Sequence, residues 1–280
     1  MLLLWLVGCP GAGDDTGPTL DTGWFAEPVD PECTANIVTT QPAAGEDDWY
    51  WRSPPLLTVG DPDASYEARL VDAEGREHPV TSEQSGAQIR LALDDVLAPS
   101  SDYTLLLRDC RGPREVGFRT SALGEPLAVD VGELTGRTYA FDIGDARWEE
   151  PPGIGALMNL YFSDPILIGV EWSSSSVVDL LGGQGYVDTD GATRQYLPQP
   201  TWDFPVADFD EQPFFSAGAA SITIEFDDVQ LIIYDFGLAA TFSADGETLD
   251  GGWVSGLGDT RYLGPVLNQG NDPNAACDIT

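Results

Sequence analysis

Apolar and polar residues alternate in short runs along most of the chain after residue 32, with a period of two. The pattern is clearest at Ile89/Leu91/Leu93 and Tyr103/Leu105/Leu107. A β-strand points successive side chains to opposite faces, so such runs predict strands with one face buried. Between residues 32 and 121 the predicted strands are Ala35–Thr39, Tyr50–Val59, Ser65–Asp72, His78–Thr81, Ala87–Leu93, Asp102–Asp109 and Arg114–Thr120. Turn-forming residues separate them at Gly60-Asp61-Pro62-Asp63, Asp72-Ala73-Glu74-Gly75 and Pro99-Ser100-Ser101-Asp102. Short strands at this regular spacing predict a β-sandwich.

Residues 122–127 read as a short join, and residues 128–270 as a second, mainly antiparallel β domain, either a sandwich or an open barrel. Its predicted strands are Thr138–Asp142, Ile166–Trp172, Val177–Leu181, Arg194–Leu197, Ser221–Phe226, Gln230–Tyr234, Leu238–Ser243 and Trp253–Gly256. The alternation is clean at Ile222/Ile224/Phe226 and Leu238/Ala240/Phe242. One short amphipathic helix is predicted where Ile154, Leu157, Met158 and Tyr161 recur at helical spacing after Pro151-Pro152-Gly153.

Three motifs give the first domain a resemblance. Val38-Thr39-Thr40-Gln41-Pro42-Ala43-Ala44-Gly45 resembles the Pro-x-x-Gly opening of bacterial Ig-like modules. Leu97-Ala98-Pro99-Ser100-Ser101-Asp102-Tyr103 is similar to the segment leading into strand F of fibronectin-III-like folds, and Val116-Gly117-Phe118-Arg119-Thr120 to their closing strand. In order and spacing, residues 32–121 resemble the SbsA-type bacterial Ig-like domain. The resemblance implies an immunoglobulin-like sandwich with Tyr103 as a tyrosine corner bonding back to upstream backbone. Such modules serve as spacers and binding units, and the fold by itself implies no chemistry.

The first nine residues carry a second resemblance. The apolar run Leu2–Val7 ends in Leu6-Val7-Gly8-Cys9, which resembles the lipobox of bacterial lipoprotein signal peptides. The resemblance implies cleavage of residues 1–8 and lipidation of Cys9, which makes the membrane a partner through the N-terminal lipid. No basic residue precedes Arg52, so the missing basic n-region is expected upstream of Met1. Residues 9–31, with Asp-Thr-Gly at 15–17 and again at 21–23, read as a flexible acidic tether. By random-coil scaling it spans ~25 Å. Pro10 after the cysteine implies the outer membrane by the sorting rule of that family. No later segment is apolar for the ~20 residues a transmembrane helix needs.

Composition changes the picture mainly through charge. Asp and Glu total 47 against 12 basic residues, a net charge of −35, and every basic residue is Arg. Nucleic acid is excluded as a partner, because phosphate binding runs on Lys and Arg. The absence of Lys also removes Schiff-base and P-loop lysine chemistry. An envelope protein or a glycan remains as a partner class. Of the four cysteines, Cys33 and Cys110 both lie in the Ig-like region and Cys277 lies past the second domain. With Cys9 acylated, the expected disulfide is Cys33–Cys110, leaving Cys277 unpaired.

Candidate chemistry is sparse. His78 is the only histidine and reads as an exposed turn residue, which leaves a triad or a zinc cluster without its parts. Asp188-Thr189-Asp190-Gly191 resembles part of a calcium loop, but Ala192 stands where an EF-hand carries Asp or Asn, and Gln199 where it carries Glu. Asp208-Phe209-Asp210-Glu211 and Asp227-Asp228 are further acidic clusters. Trp49, Tyr50 and Trp51 offer aromatic faces to sugar, or packing; Ser173–Ser176 reads as loop. No catalytic, cofactor-binding or metal-ligating residue is assigned. The expectation is a lipid-anchored, non-catalytic envelope module. The alternatives are a secreted carboxylate-dependent, glycosidase-like hydrolase and a calcium-dependent adhesion module.

Overall fold

A computed structural model describes residues 33–141, 164–226 and 229–258. The leader, the tether, the predicted helix at 154–161, Asp227-Asp228 and Cys277 lie outside the described residues. The chain is mainly antiparallel β and divides into two compact units.

The first unit takes in the chain up to Gly45 together with Pro54–Asp95 and Asp102–Phe118. Its strands are β1 (Ile37–Gln41), β2 (Leu56–Val59), β3 (Glu67–Asp72), β4 (Glu77–His78), β5 (Val80–Ser85), β6 (Gln88–Leu93), β7 (Asp102–Asp109) and β8 (Gly112–Arg119). They form two four-stranded sheets, ordered β1-β2-β6-β5 and β4-β3-β7-β8. Lettered along the chain, that is A-B-E-D and C′-C-F-G, the strand order of an immunoglobulin-type sandwich. The alternation has the predicted consequence: Leu57, Leu91, Leu70, Leu105 and Leu107 are almost wholly buried. Strand β1 is tied to the other sheet, since Ile37 N–H donates to Asp109 Oδ2 at 2.8 Å and Arg114 Nη2 donates to Ile37 O at 2.9 Å. Cys33 is bonded to Cys110, with their Cα atoms 6.2 Å apart.

The second unit takes in Glu46–Ser53, Val96–Ser101 and the chain from Arg119. After a 3-10 turn, Val131–Leu134, its strands are β9 (Thr138–Phe141), β10 (Ile166–Ser173), β11 (Val177–Val187), β12 (Thr193–Gln195), β13 (Trp202–Asp203), β14 (Ala207–Asp208), β15 (Phe214–Phe226), β16 (Val229–Phe242) and β17 (Leu249–Gly258). One sheet runs β17-β16-β15-β14-β11-β10-β9, with β12 and β13 also on β11. The sheet curls until its far ends share one core. Tyr139 of β9 lies 5.4 Å from Phe242 of β16, ring centre to ring centre, and its hydroxyl donates to Gly246 O in the β16–β17 turn at 2.8 Å. Phe209 and Phe215 close the cluster around Phe242.

Several expected elements differ, among them the strand predicted at Ser221–Phe226, which begins at Phe214, and that at Trp253–Gly256, which runs from Leu249 to Gly258. The strand predicted at Tyr50–Val59 begins only at Leu56, because Pro54-Pro55 lacks two ladder donors; Tyr50–Arg52 forms a turn instead. The strands predicted at Gln230–Tyr234 and Leu238–Ser243 are one strand, β16, whose pairing with β17 is irregular between Tyr234 and Gly237; Asp235 between them has φ +51°. Strand β11 continues past the predicted end at Leu181, through Gly182-Gly183 to Val187. A Cβ on Gly182 would lie 2.8 Å from Trp202 Cε3, so glycine there admits an aromatic lying on the strand.

Candidate functional site

The calcium-like stretch at Asp188 is a hairpin turn between β11 and β12. Asp188 Oδ1 accepts from Asp190 N–H at 2.9 Å and Ala192 N–H at 3.0 Å, and Arg194 Nε donates to Oδ2. The turn at Asp72, between β3 and β4, is built the same way. There Oδ1 accepts from Glu74 N–H at 3.1 Å and Arg76 N–H at 2.9 Å, and Arg76 Nε donates to Oδ2 at 2.7 Å. Gly75 and Gly191 take the same place, at φ +78° and +79°, which an L side chain enters only with strain. In both turns the carboxylate caps backbone donors and clamps a guanidinium.

The electrostatics follow. Arg194, then the Ala192 N–H, hold the Asp188 carboxyl below its ordinary pKa. At Asp72 burial pushes upward, but the Arg76 N–H, His78 and the Arg76 side chain outweigh it, and the net shift is downward. Asp245, in the β16–β17 turn, is lowered by the Ser243 hydroxyl and the Glu247 N–H. Donors converge on these oxygens, whereas a cation site needs oxygens converging on an empty point. Among the described residues no three His, Cys, Asp or Glu side chains are grouped to hold a metal ion.

His78 sits on β4 rather than in an exposed turn. Its side chain is half-buried, with Nε2 3.3 Å from Asp72 Oδ2 and its ring edge-on to Tyr103, centroids 5.3 Å apart. The predicted turn at Asp72–Gly75 ends just before β4, and the strand predicted at His78–Thr81 divides at Pro79, with β4 ending at His78 and β5 starting at Val80. Tyr103 is buried and stacked on Phe118 at 5.8 Å.

The aromatic segment Trp49–Trp51 is packing, not a sugar platform. Trp49 and Trp51 are 8% and 7% exposed. Within the second unit the Tyr50 hydroxyl meets Thr241 Oγ1 at 2.7 Å. Arg52 lies over the Phe214 ring at 3.7 Å and the Trp51 ring at 4.5 Å, and pairs with Glu211 of the acidic cluster at 208–211. Asp208 of that cluster caps the Asp210 N–H at 2.8 Å. Ser173 lies at the end of β10 and donates to Val131 O at 2.7 Å, and Ser174–Ser176 follow as loop.

Sequence reading passed over one surface feature. Trp253 and Leu257 of β17 and Tyr234 of β16 are 51%, 65% and 44% exposed, and Leu257 pairs with Tyr234 across the ladder. The signal was present as Gly251–Gly258, eight consecutive residues without a charge in a strongly acidic chain.

Among the described residues no helix is long and apolar enough to cross a membrane, which says nothing of a β-barrel. No known protein family and no curated protein matches the chain. Two solved structures show a distant likeness. The N-terminal part of the bacterial S-layer protein SbsC is 10% identical over 80% of this chain, with a TM-score of 0.25, and the match spans 44% of that protein's chain. Domains 5–6 of the S-layer protein SbsC are 11% identical over 79% of this chain and 96% of theirs, again with a TM-score of 0.25.

Proposed function

We propose that this chain is a lipid-anchored protein of the bacterial cell envelope, acting as a spacer or binding module without a catalytic centre. The observation that carries the reading is how the candidate polar groups are used. Asp72, Asp188 and Asp208 cap turns, Glu211 pairs with Arg52, and His78 meets Asp72 beside Tyr103. A general acid or nucleophile must meet substrate, and these groups meet the chain's own backbone and guanidinium groups instead. The Ig-type strand order adds a rigid module suited to display, and Leu6-Val7-Gly8-Cys9 with its Asp-Thr-Gly tether supplies the attachment. Pro10 directs the proposal to the outer membrane. An envelope protein or a glycan is the partner class, held through surface rather than through a cofactor.

The test is fractionation of cells expressing the gene from its natural start. Wild-type protein belongs in the membrane fraction with a diacylglycerol mass on Cys9, and Cys9→Ala belongs in the soluble fraction. Unmodified Cys9 in membrane-bound material overturns the anchor.

A further inference from the structure

Edge strands expose unpaired backbone donors and acceptors, and proteins blunt them with charge, proline or shortness. Most edges here are blunted. Strand β4 has two residues and β9 has four; β5 carries Glu83, and β8 carries Pro113 and Arg114. Strand β1 runs into Pro42. Strand β17 is ten residues long, with β16 hydrogen-bonded on one side and, among the described residues, no strand hydrogen-bonded on the other. From Gly251 to Gly258 it has no charge and no proline.

The same stretch is close to a mirror about its centre. In Gly252-Trp253-Val254-Ser255-Gly256-Leu257-Gly258, glycines stand at both ends, Trp253 mirrors Leu257, and Val254 mirrors Gly256 around Ser255. An antiparallel pair related by a two-fold axis sets mirrored positions opposite each other. Val254 then meets Gly256, Trp253 meets Leu257, and the central Ser255 meets its own copy. Trp253, Ser255 and Leu257 share one face of the strand, and Trp253 lies over Gly237, where a Cβ would sit 3.4 Å from its ring. Two copies of a chain with net charge −35 repel across most of their surface. This edge lets them meet with no carboxylates facing each other.

We propose that β17 pairs antiparallel with β17 of a second copy, centred on Ser255, joining two sheets into one across a homodimer. The pairing does not depend on the lipid anchor. Apolar cross-strand contacts between Trp253 of one copy and Leu257 of the other occur twice under the symmetry. Salt strengthens the dimer by screening the repulsion elsewhere.

The test uses the full chain in a Cys9→Ser, Cys277→Ser background. Sedimentation equilibrium is expected to show a dimer whose dissociation constant falls as NaCl rises. Leu257→Lys and Trp253→Lys, at exposed positions, each raise that constant about ten-fold, because each change acts twice. Ser255→Cys cross-links to itself on oxidation, since paired Cα atoms lie ~4.5–5.5 Å apart. Val254→Cys, set opposite Gly256, does not. A monomer at every salt concentration overturns the proposal, and so does a dimer indifferent to both lysines. Equal cross-linking of Ser255→Cys and Val254→Cys overturns the register.

Discussion

The hydroxyl pair between Tyr50 and Thr241 connects residues 191 apart in sequence, and it makes the placement of the Trp49–Arg52 segment measurable. Thr241 is fully buried. Tyr50→Phe removes the partner at 2.7 Å and leaves that hydroxyl without water to replace it. A buried group deprived of its hydrogen bond costs about 1–3 kcal/mol. Thr241→Val strands the Tyr50 hydroxyl, which is only partly buried, so its cost is at the lower end, about 1 kcal/mol. Removing both partners together leaves an apolar contact of nearly the same shape, and the double variant is destabilised by less than the sum. The expected coupling is about 1 kcal/mol, measured by urea unfolding of the four proteins followed by tryptophan fluorescence. Additivity within about 0.3 kcal/mol would refute the pairing, because distant, independent sites behave that way.

Further outcomes follow from the same structure. Asp72, Asp188 and Asp245 all have pKa values lowered from 3.8, so their contribution is present above that pH and is lost as pH falls through the lower folded values. Arg194→Gln is therefore expected to unfold at higher pH than wild type in an acid titration by circular dichroism. Tyr50 is raised above 10.0, by burial first, as is Tyr139; stability is whole below that pH and falls as pH rises through the folded values. Reducing Cys33–Cys110, whose partners are 77 residues apart, is expected to cost about 4 kcal/mol by the chain-entropy account, read as a lowered urea midpoint of the first unit. Added NaCl is expected to raise the melting temperature by screening, with calcium and magnesium alike at matched ionic strength; a calcium-only rise would contradict the assignment of Asp188 to a turn.

The fold was legible wherever alternation and turn chemistry agreed. Asp102–Asp109 was bounded to the residue, because Ser100-Ser101 marks its start and Tyr103/Leu105/Leu107 its buried face. Legibility failed where a glycine means close approach instead of a turn. The predicted strand stops at Leu181, yet β11 runs on through Gly182, where Trp202 lies on its face. It failed again at Trp49–Trp51: Glu46–Ser53 belongs to the second unit although the chain on either side, up to Gly45 and from Pro54, belongs to the first, and the Tyr50 hydroxyl finds Thr241 191 residues on. Contacts across so long a loop leave no local pattern to read. The turns at Asp72 and Asp188 were legible from Asp-x-x-Gly alone, but the guanidinium that closes each one was not: Arg76 and Arg194 stand four and six residues on. The mirror symmetry of β17 was in plain sequence, but it acquires meaning only once the strand is known to be an edge.

The central proposal is that Asp72, Asp188, Asp208 and Glu211 serve as turn caps and guanidinium partners in a spacer or binding module, not as catalytic groups. The most direct measurement is a turnover screen of the full chain against glycoside, peptide and ester substrates. Amide replacements at Asp72, Asp188, Asp208 and Glu211 serve as companions. The account predicts no turnover above buffer for any of them, with loss of acid or urea stability in the replaced proteins. Turnover that one amide replacement abolishes while the protein stays folded would contradict it.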